Sequence, residues 1–425
     1  MSFITESKLE KDAQEEENEL DSFLLRIHEP NLRRLLKHCY QCGRCSGVCQ
    51  ISKVQKFTPS RIIQMILEGF EEEILNSGVL WDCLMCNSCL QMCPKEINFA
   101  DIVRIARYKM RMKDIQNFDR TIAHKGMYPL MAEMMSQDNI HIERTLDWIP
   151  KGCKISDKGN ILYYVGCLPF FSYDFQDLDS IASNTLKTLY MLEQEPIVVL
   201  KDEICCGHDL FWGQAKFERF IDLAEKNKKR FEETGVSTII TACAECYRTF
   251  KIDYPKLFDD FDKKFKVKHI IEYVFENWKA GKIQFKNPNT TNEPIPFTFH
   301  DPCRLSRFLP KDNKLIKNVR EIFEHLKLFG YEFKEMEHNQ ERSYCCGVNS
   351  WMNCNERSKA LRYKRLSEAQ SVGNKLITSC PKCRIHLSCL KKDYEDFSSV
   401  EILDFSEFLV DLIDIKKPDK NSGGK

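Results

Sequence analysis

Cys39-Tyr-Gln-Cys42-Gly-Arg-Cys45-Ser-Gly-Val-Cys49 and Cys83-Leu-Met-Cys86-Asn-Ser-Cys89-Leu-Gln-Met-Cys93-Pro94 share one spacing, C-x2-C-x2-C-x3-C. Three cysteines at intervals of three, on a tightly curled loop, present thiolates to three corners of one iron–sulfur cube. The fourth heads a helix and reaches the other cube. The double run therefore predicts two cubane [4Fe-4S] clusters, one held by Cys39, Cys42, Cys45 and Cys93, the other by Cys83, Cys86, Cys89 and Cys49. Zinc also takes C-x2-C pairs, but its four ligands need only two such pairs and leave the third regular cysteine without use. Cys49 is followed by Gln50, where Cys93 has the usual proline. Proline orients the chain and binds no iron, so this departure leaves the assignment intact.

The flanks read as helix. Phe23, Leu24, Ile27, Leu32 and Leu35 stand near helical spacing over residues 21–37. Thr58-Pro59-Ser60-Arg61 is a good helix start leading into Ile62, Ile63, Met65, Ile66 and Leu67, and a further helical pattern covers 99–112. The first part of the chain is thus an acidic segment with a short helix, 1–36, and a helical two-cluster ferredoxin-like domain, 37–115. Residues 116–158 lack a clear period and read as a connector.

Beyond the connector the texture changes. Segments 161–165, 197–200 and 237–241 have strand character, and each precedes a longer helical stretch (175–193, 214–234, 245–253). That alternation argues for a mostly parallel sheet with helices on its faces. The series then repeats at 297–299, 331–334 and 375–378. Matching cysteines are offset by 136 (167 to 303), 140 (205 to 345) and 137 (243 to 380) residues. So constant an offset indicates an internal duplication. The fold class is mixed α+β and α/β: the helical domain is followed by two Rossmann-like α/β units, 159–290 and 291–415, and a polar tail, 416–425.

The duplicated units carry a second chemistry. The first has Cys167, Cys205-Cys206-Gly207 and Cys243-x2-Cys246; the second has Cys303, Cys345-Cys346-Gly347 and Cys380-x2-Cys383. In both, the cysteines follow a predicted strand or stand on the loop before the next helix. The carboxyl ends of strands in an open α/β sheet converge on one crevice, so ten thiols are expected in two neighbouring pockets. Adjacent cysteines point in different directions. Cys-Cys-Gly reaches one metal assembly only through a turn, and Gly207 and Gly347 supply the freedom for it.

Bulk properties narrow the function classes. A length of 425 residues leaves room for about three domains. The 63 basic residues balance 63 acidic ones, so no basic excess attracts nucleic acid or an anionic membrane. No basic-then-apolar leader opens the sequence, and no apolar run approaches the ~18 residues needed to span a bilayer. The expectation is a cytoplasmic protein without a membrane span of its own. Twenty-one cysteines in such a setting argue for metal rather than a disulfide framework. There is no G-x-G-x-x-G or Walker-type run, so no flavin or nicotinamide is expected on this chain, and electrons must come from another protein of the same complex.

The five-cysteine pattern resembles the CCG cysteine-rich domain that heterodisulfide reductase carries in its cysteine-rich B component. Cys39-Tyr-Gln-Cys-Gly-Arg-Cys45, Pro59-Ser-Arg-Ile-Ile63 and Leu80-Trp-Asp-Cys83 look like the ferredoxin-like C component of the same enzyme. The resemblance, a natural fusion of the two components, runs from about residue 35 to about 410. It implies that Cys167, Cys205, Cys206, Cys243 and Cys246 hold one non-cubane [4Fe-4S] cluster. Cys303, Cys345, Cys346, Cys380 and Cys383 would hold another, with a disulfide (that of coenzyme M and coenzyme B, or a similar one) cleaved between the two. Some copies in the family carry zinc instead, although five thiolates exceed zinc's tetrahedral demand. The implied partner is a flavin-containing electron donor resembling the enzyme's flavoprotein component, often with a hydrogenase or formate dehydrogenase behind it, or a membrane cytochrome. Related domains also serve flavin-dependent 2-hydroxyacid (glycolate or lactate) dehydrogenases, where the chain would be an electron conduit without a substrate. The complete second set of five cysteines favours the disulfide reductase.

His208 and His300 stand beside these cysteines and are candidates either for giving a proton to a departing thiolate or for hydrogen-bonding cluster sulfurs and loop carbonyls. The second copy has Val348 where the first has His208, so no symmetric role exists. Arg248, Arg304, Lys382 and Arg384 lie close enough to these cysteines to meet anionic groups on a substrate, but are expected rather to form a solvated face or to compensate cluster charge. Cys153, Cys354 and Cys389 are expected to be small buried residues.

Overall fold

Pro59 in the first turn and Gly69 in a left-handed conformation (φ 102°) delimit the helix Pro59–Glu68, whose apolar face buries Ile62, Ile63 and Ile66. The helix Phe99–Met112 is N-capped by Asn98, which accepts from Asp101 N–H, and buries Phe99, Val103, Ala106 and Met110. With Leu32 and Leu36 of the helix Leu32–Leu36, these side chains make the core on which both four-cysteine loops rest. The computed structural model describes residues 32–54, 58–115, 123–137, 146–167, 177–286, 293–349, 351 and 354–415. The expectations for residues 1–31 and 416–425 lie outside them.

The second part holds two parallel sheets. The first comprises β1 (Ile155–Ser156), β2 (Ile161–Tyr163), β3 (Ile197–Val198), β4 (Thr238–Thr241) and β5 (Lys266–His269) in the order β1-β3-β2-β4-β5. After β6 (Ile283–Phe285) comes the second sheet: β7 (Ile295–His300), β8 (Tyr331–Phe333), β9 (Lys375–Thr378) and β10 (Glu401–Asp404), in the order β10-β9-β7-β8. Every pairing within both sheets is parallel, with Leu162 opposite Ile239 and Phe299 opposite Ile377 at the two centres. Matched strands run in the same order, β3-β2-β4-β5 against β8-β7-β9-β10, so the duplication read from the cysteines is a duplication of topology. The last strand, β11 (Ile413–Ile415), crosses back and pairs antiparallel with β6, tying the end of the second copy to the end of the first.

Three details differ from the sequence reading. Residues 116–158 are more than a connector, for they contain the helix Met127–Met134 and β1, which extends the first sheet. The strand expected over 161–165 stops at Tyr163. The N–H groups of Val165 and Gly166 turn instead to the buried carboxylate of Glu203, at 3.0 and 2.7 Å. The helix expected over 245–253 is Ala244–Arg248 followed by a π-helical turn, Thr249–Asp253. Among the described residues no helix is long and apolar enough to cross a membrane.

Candidate metal centre

Both four-cysteine loops are curled by the same device. Gln41 (φ 55°) and Gly43 (φ 74°) in the first, and Met85 (φ 52°) and Asn87 (φ 63°) in the second, occupy matching positions in left-handed conformation. The turn aims backbone N–H groups at sulfur: Gln41 N–H donates to Cys39 Sγ and Met85 N–H to Cys83 Sγ, each at 3.4 Å, and Ile97 N–H donates to Cys93 Sγ at 3.3 Å. Donors of this kind favour a thiolate. Cys39, Cys42, Cys45 and Cys93 line one pocket, with Cys89 also on its wall. Cys49 lies within the field of Cys86, and Cys83 within the fields of Cys86 and Cys49. The fourth cysteine of each run is thus brought to the partner loop. Burial pushes the Cys83 thiol up to about 12, against the pull of the nearby Arg107 guanidinium, and raises Cys89 well above its ordinary value. Buried thiols crowded together stay protonated until a cation replaces the protons, which is the condition a cluster meets.

The ten remaining motif cysteines gather in one cluster, seven of them buried and Cys167, Cys243 and Cys303 half-buried. In the first copy Cys205 and Cys206, Cys206 and Cys246, and Cys246 and Cys243 lie close enough to shift one another's proton affinity. In the second copy the same holds for Cys303 and Cys345, Cys345 and Cys346, Cys346 and Cys383, and Cys383 and Cys380. Cys243 and Cys380 then join the two sets, and Cys167 stands within the fields of Cys243 and Cys206. The Cys206, Cys243 and Cys346 thiols are each lowered by two flanking thiols, whereas neighbouring thiols and burial raise Cys246 and Cys380. Five sulfurs per set exceed one tetrahedral zinc and fit a multi-iron assembly. Gly207 (φ 82°) and Gly347 (φ 83°) make both turns, and their N–H groups donate to Cys205 Sγ and Cys345 Sγ at 3.4 Å.

The basic residues flanking these cysteines are not a solvated face. Lys382 is buried and pairs with Asp209 and Glu245, each at 2.5 Å. Arg248 pairs with Asp253 and stacks over Trp212, while Arg304 stacks over Phe308 and donates to Met85 O at 3.3 Å. Arg384 is clamped by both oxygens of Glu407. His208 Nδ1 is hydrogen-bonded to Thr249 Oγ1 at 2.9 Å, and His300 Nδ1 accepts from Arg365 Nε at 2.9 Å. Burial first, and then the surrounding cations, hold both imidazoles well below their ordinary pKa and therefore neutral. Cys153, Cys354 and Cys389 are half-buried, outside the thiol cluster.

The second four-cysteine loop is docked on the second copy. Arg307 Nε donates to Cys86 O at 2.7 Å, Asn349 Nδ2 to Cys83 O at 2.9 Å, and the Cys86 and Cys345 thiols lie within each other's field. Arg107 reaches the carbonyls of Leu80 and Cys83, both at 2.9 Å, and of Gly213 at 3.2 Å. The sequence singles out none of Arg107, Arg307, Asn349, Glu203, Asp209 or Glu245, since long-range carbonyl and ion-pair partners leave no local pattern.

Fold and thiol geometry together define an iron–sulfur module fused to a tandem cysteine-rich domain. Residues 35–97 match the model of the 4Fe-4S dicluster domain, and residues 161–251 and 297–388 that of the cysteine-rich domain CCG. The D subunit of the dihydromethanophenazine:CoB–CoM heterodisulfide reductase of Methanosarcina acetivorans is 28% identical over 353 residues, covering 81% of this chain and 80% of that protein. The B subunit of the fumarate reductase (CoM/CoB) of Methanothermobacter marburgensis is 26% identical over 392 residues, 88% of this chain and 72% of that protein. A probable iron–sulfur-binding oxidoreductase of Bacillus subtilis is 28% identical over 391 residues, 88% of this chain and 51% of that protein. The chain belongs to the heterodisulfide reductase family of fusions between a dicluster domain and two cysteine-rich domains, and is an iron–sulfur electron-transfer protein related to the D subunit of that enzyme.

Proposed function

We propose that the chain takes electrons singly from a flavin-containing partner and delivers two of them to a disulfide bound between its two five-cysteine sets. In this reading Cys39, Cys42, Cys45 and Cys93 hold one cubane [4Fe-4S] cluster, and Cys83, Cys86, Cys89 and Cys49 the other. The sets Cys167/Cys205/Cys206/Cys243/Cys246 and Cys303/Cys345/Cys346/Cys380/Cys383 each hold a non-cubane cluster. The observation that carries it is the ion pair of Lys382 with Glu245 at 2.5 Å, which puts matched positions of the two Cys-x2-Cys motifs face to face between the two thiol pockets. A conduit needs one acceptor; two complete acceptors sharing one boundary suit a reaction that takes two electrons.

Reduction of RS–SR′ consumes two electrons and two protons, breaks the S–S bond and yields two thiols. When bound, the clusters supply one-electron redox chemistry. The chain's own residues do the rest: Glu245 and Lys382 line both thiol pockets, so their paired charges stand at the boundary a substrate would bridge. The mixed disulfide of coenzyme M and coenzyme B, the two coenzymes for which two relatives are named, is the substrate class to try first.

The deciding experiment is iron and zinc analysis with EPR on anaerobically purified protein, before and after adding coenzyme M, coenzyme B and their disulfide. About sixteen irons per chain, from four clusters of four, and a new paramagnetic signal on adding thiol are the expected results. Only about eight to twelve irons, with zinc making up the remainder and no response to thiol, would leave an electron conduit such as serves a flavin-dependent 2-hydroxyacid dehydrogenase.

A further inference from the structure

Gln50 is where the first cysteine run departs from the second, since Cys93 is followed by proline. Its side chain is buried, 4% exposed, and both ends of its carboxamide are spent on the second cysteine-rich copy. Oε1 accepts the N–H of Cys345 at 2.7 Å, and Nε2 donates to Ser343 O at 3.3 Å. Proline can make neither bond. Gln50 is peptide-bonded to Cys49, and the N–H it accepts belongs to Cys345. One side chain therefore joins a cysteine of the dicluster module to a cysteine of the second copy by covalent bonds and a single short hydrogen bond. Arg307 on Cys86 O and Asn349 on Cys83 O fasten the other four-cysteine loop to the same copy.

We propose that Gln50 is a positioning residue for electron transfer, holding the Cys49 end of the dicluster module against Cys345 so that the second copy is reduced before the first. This rests on the reading that both places hold iron–sulfur groups. One electron leaves the group held by Cys83, Cys86, Cys89 and Cys49, which is oxidised, and arrives at the group held by the Cys345 set, which is reduced. No bond breaks and no proton moves. The bridge matters because transfer falls steeply with separation and bonded contacts carry it better than gaps.

The test uses the full chain, loaded anaerobically and reduced with dithionite. Gln50→Met keeps the length and volume of the side chain without its hydrogen bonds; Gln50→Glu keeps an acceptor for Cys345 N–H. Gln50→Asn, which keeps the amide but falls short, stands in if the methionine variant does not fold. Iron content, amide exchange at Cys345, EPR spin–spin splitting in the fully reduced protein and the rapid-mixing rate of second-copy reduction are all read. Expected for Gln50→Met are unchanged iron, faster exchange at Cys345, weaker splitting and transfer slowed several-fold, with Gln50→Glu recovering part of the rate. Faster exchange with wild-type splitting and rate would overturn the proposal, as would loss of iron from the dicluster module, which makes Gln50 part of the site's construction. Zinc in the second copy of the wild-type chain would sink the functional reading itself, and this inference with it.

Discussion

Lys382 Nζ stands 2.5 Å from Glu245 Oε2, and the two residues hold the same place in the two copies, each the third residue of its Cys-x2-Cys motif. Cys243 and Cys380, which head those motifs, meet as well. Like positions face like, as across a two-fold dimer interface. In a true homodimer the charged position would oppose its own copy and repel it; after duplication within one chain the two could diverge to opposite signs.

That pairing predicts the cost of breaking it. Lys382→Met strands the Asp209 and Glu245 carboxylates in a buried site, and the loss should be about 3–5 kcal/mol in urea unfolding of the full chain. Exchanging the charges, Glu245→Lys with Lys382→Glu, restores the pair but turns a carboxylate toward Asp209, so the rescue should be partial. A double variant no better than the single one would show that the pair adds nothing beyond burial.

Gly207→Ala tests the turn between Cys205 and Cys206 and the rest of the first copy. Its φ of 82° lies in the left-handed region, and an added Cβ would come 2.7 Å from Phe220 Cδ2. Backbone strain alone costs about 1–2 kcal/mol, and the clash adds to it. Gly347→Ala meets the backbone oxygen of Ser358 at 3.2 Å, a milder approach. The first variant should lose more stability and more iron than the second, and Phe220→Leu should recover only the clash. Equal losses in both variants, with no recovery, would point to φ strain alone.

What can be read from the chain and what cannot divide along physical lines. The cysteine runs, the duplication and the alternation of strands and helices are local or periodic, and the pairings of β2 with β4 and of β7 with β9 follow them. The curl of the four-cysteine loops is legible too, with Gly43 marking it, although Gln41 and Met85 take the left-handed conformation without any residue type that announces it. Hidden from sequence are contacts over long separations. Glu203 reaching Val165 and Gly166, Asn349 reaching Cys83 and Gln50 reaching Cys345 depend on how the parts pack. Of these only Gln50 leaves a trace, as a missing proline, and a missing proline by itself says nothing about ligands.

Arg107 should prove indispensable to the second loop. Its guanidinium is fully buried and divides its donors among the carbonyls of Leu80, Trp81, Cys83 and Gly213. A lysine ammonium cannot span that fork, so Arg107→Lys leaves carbonyls without donors and should cost about 3 kcal/mol. The damage should be local: iron should fall by about one cluster of four, while EPR features of the Cys39 loop persist. Full iron content in the variant would refute the assignment.

Asp404 gives the fold a pH dependence away from the cysteines. Its Oδ1 accepts from Ser406 N–H at 2.9 Å, capping the helix Phe405–Leu409, and its own N–H donates to Glu407 at 2.6 Å. Burial first, and then the Glu407 carboxylate, push the Asp404 carboxyl up to about 8, against the pull of Arg384 and the Ser406 donor. Because the folded value lies above the unfolded one, near 3.9, the folded state holds a proton that the unfolded state releases. Stability from this group is therefore whole at acid pH and is lost as pH climbs from about 4 to about 8, by up to about 1.4 kcal/mol per pH unit. Asp404→Asn keeps a capping oxygen and removes the titration. Urea midpoints at three pH values across that window should fall for the wild type and stay flatter for the variant, which overtakes it near the alkaline end. Parallel curves for the two proteins would mean that Asp404 ionises normally and that its cap, not its proton, is what the helix needs.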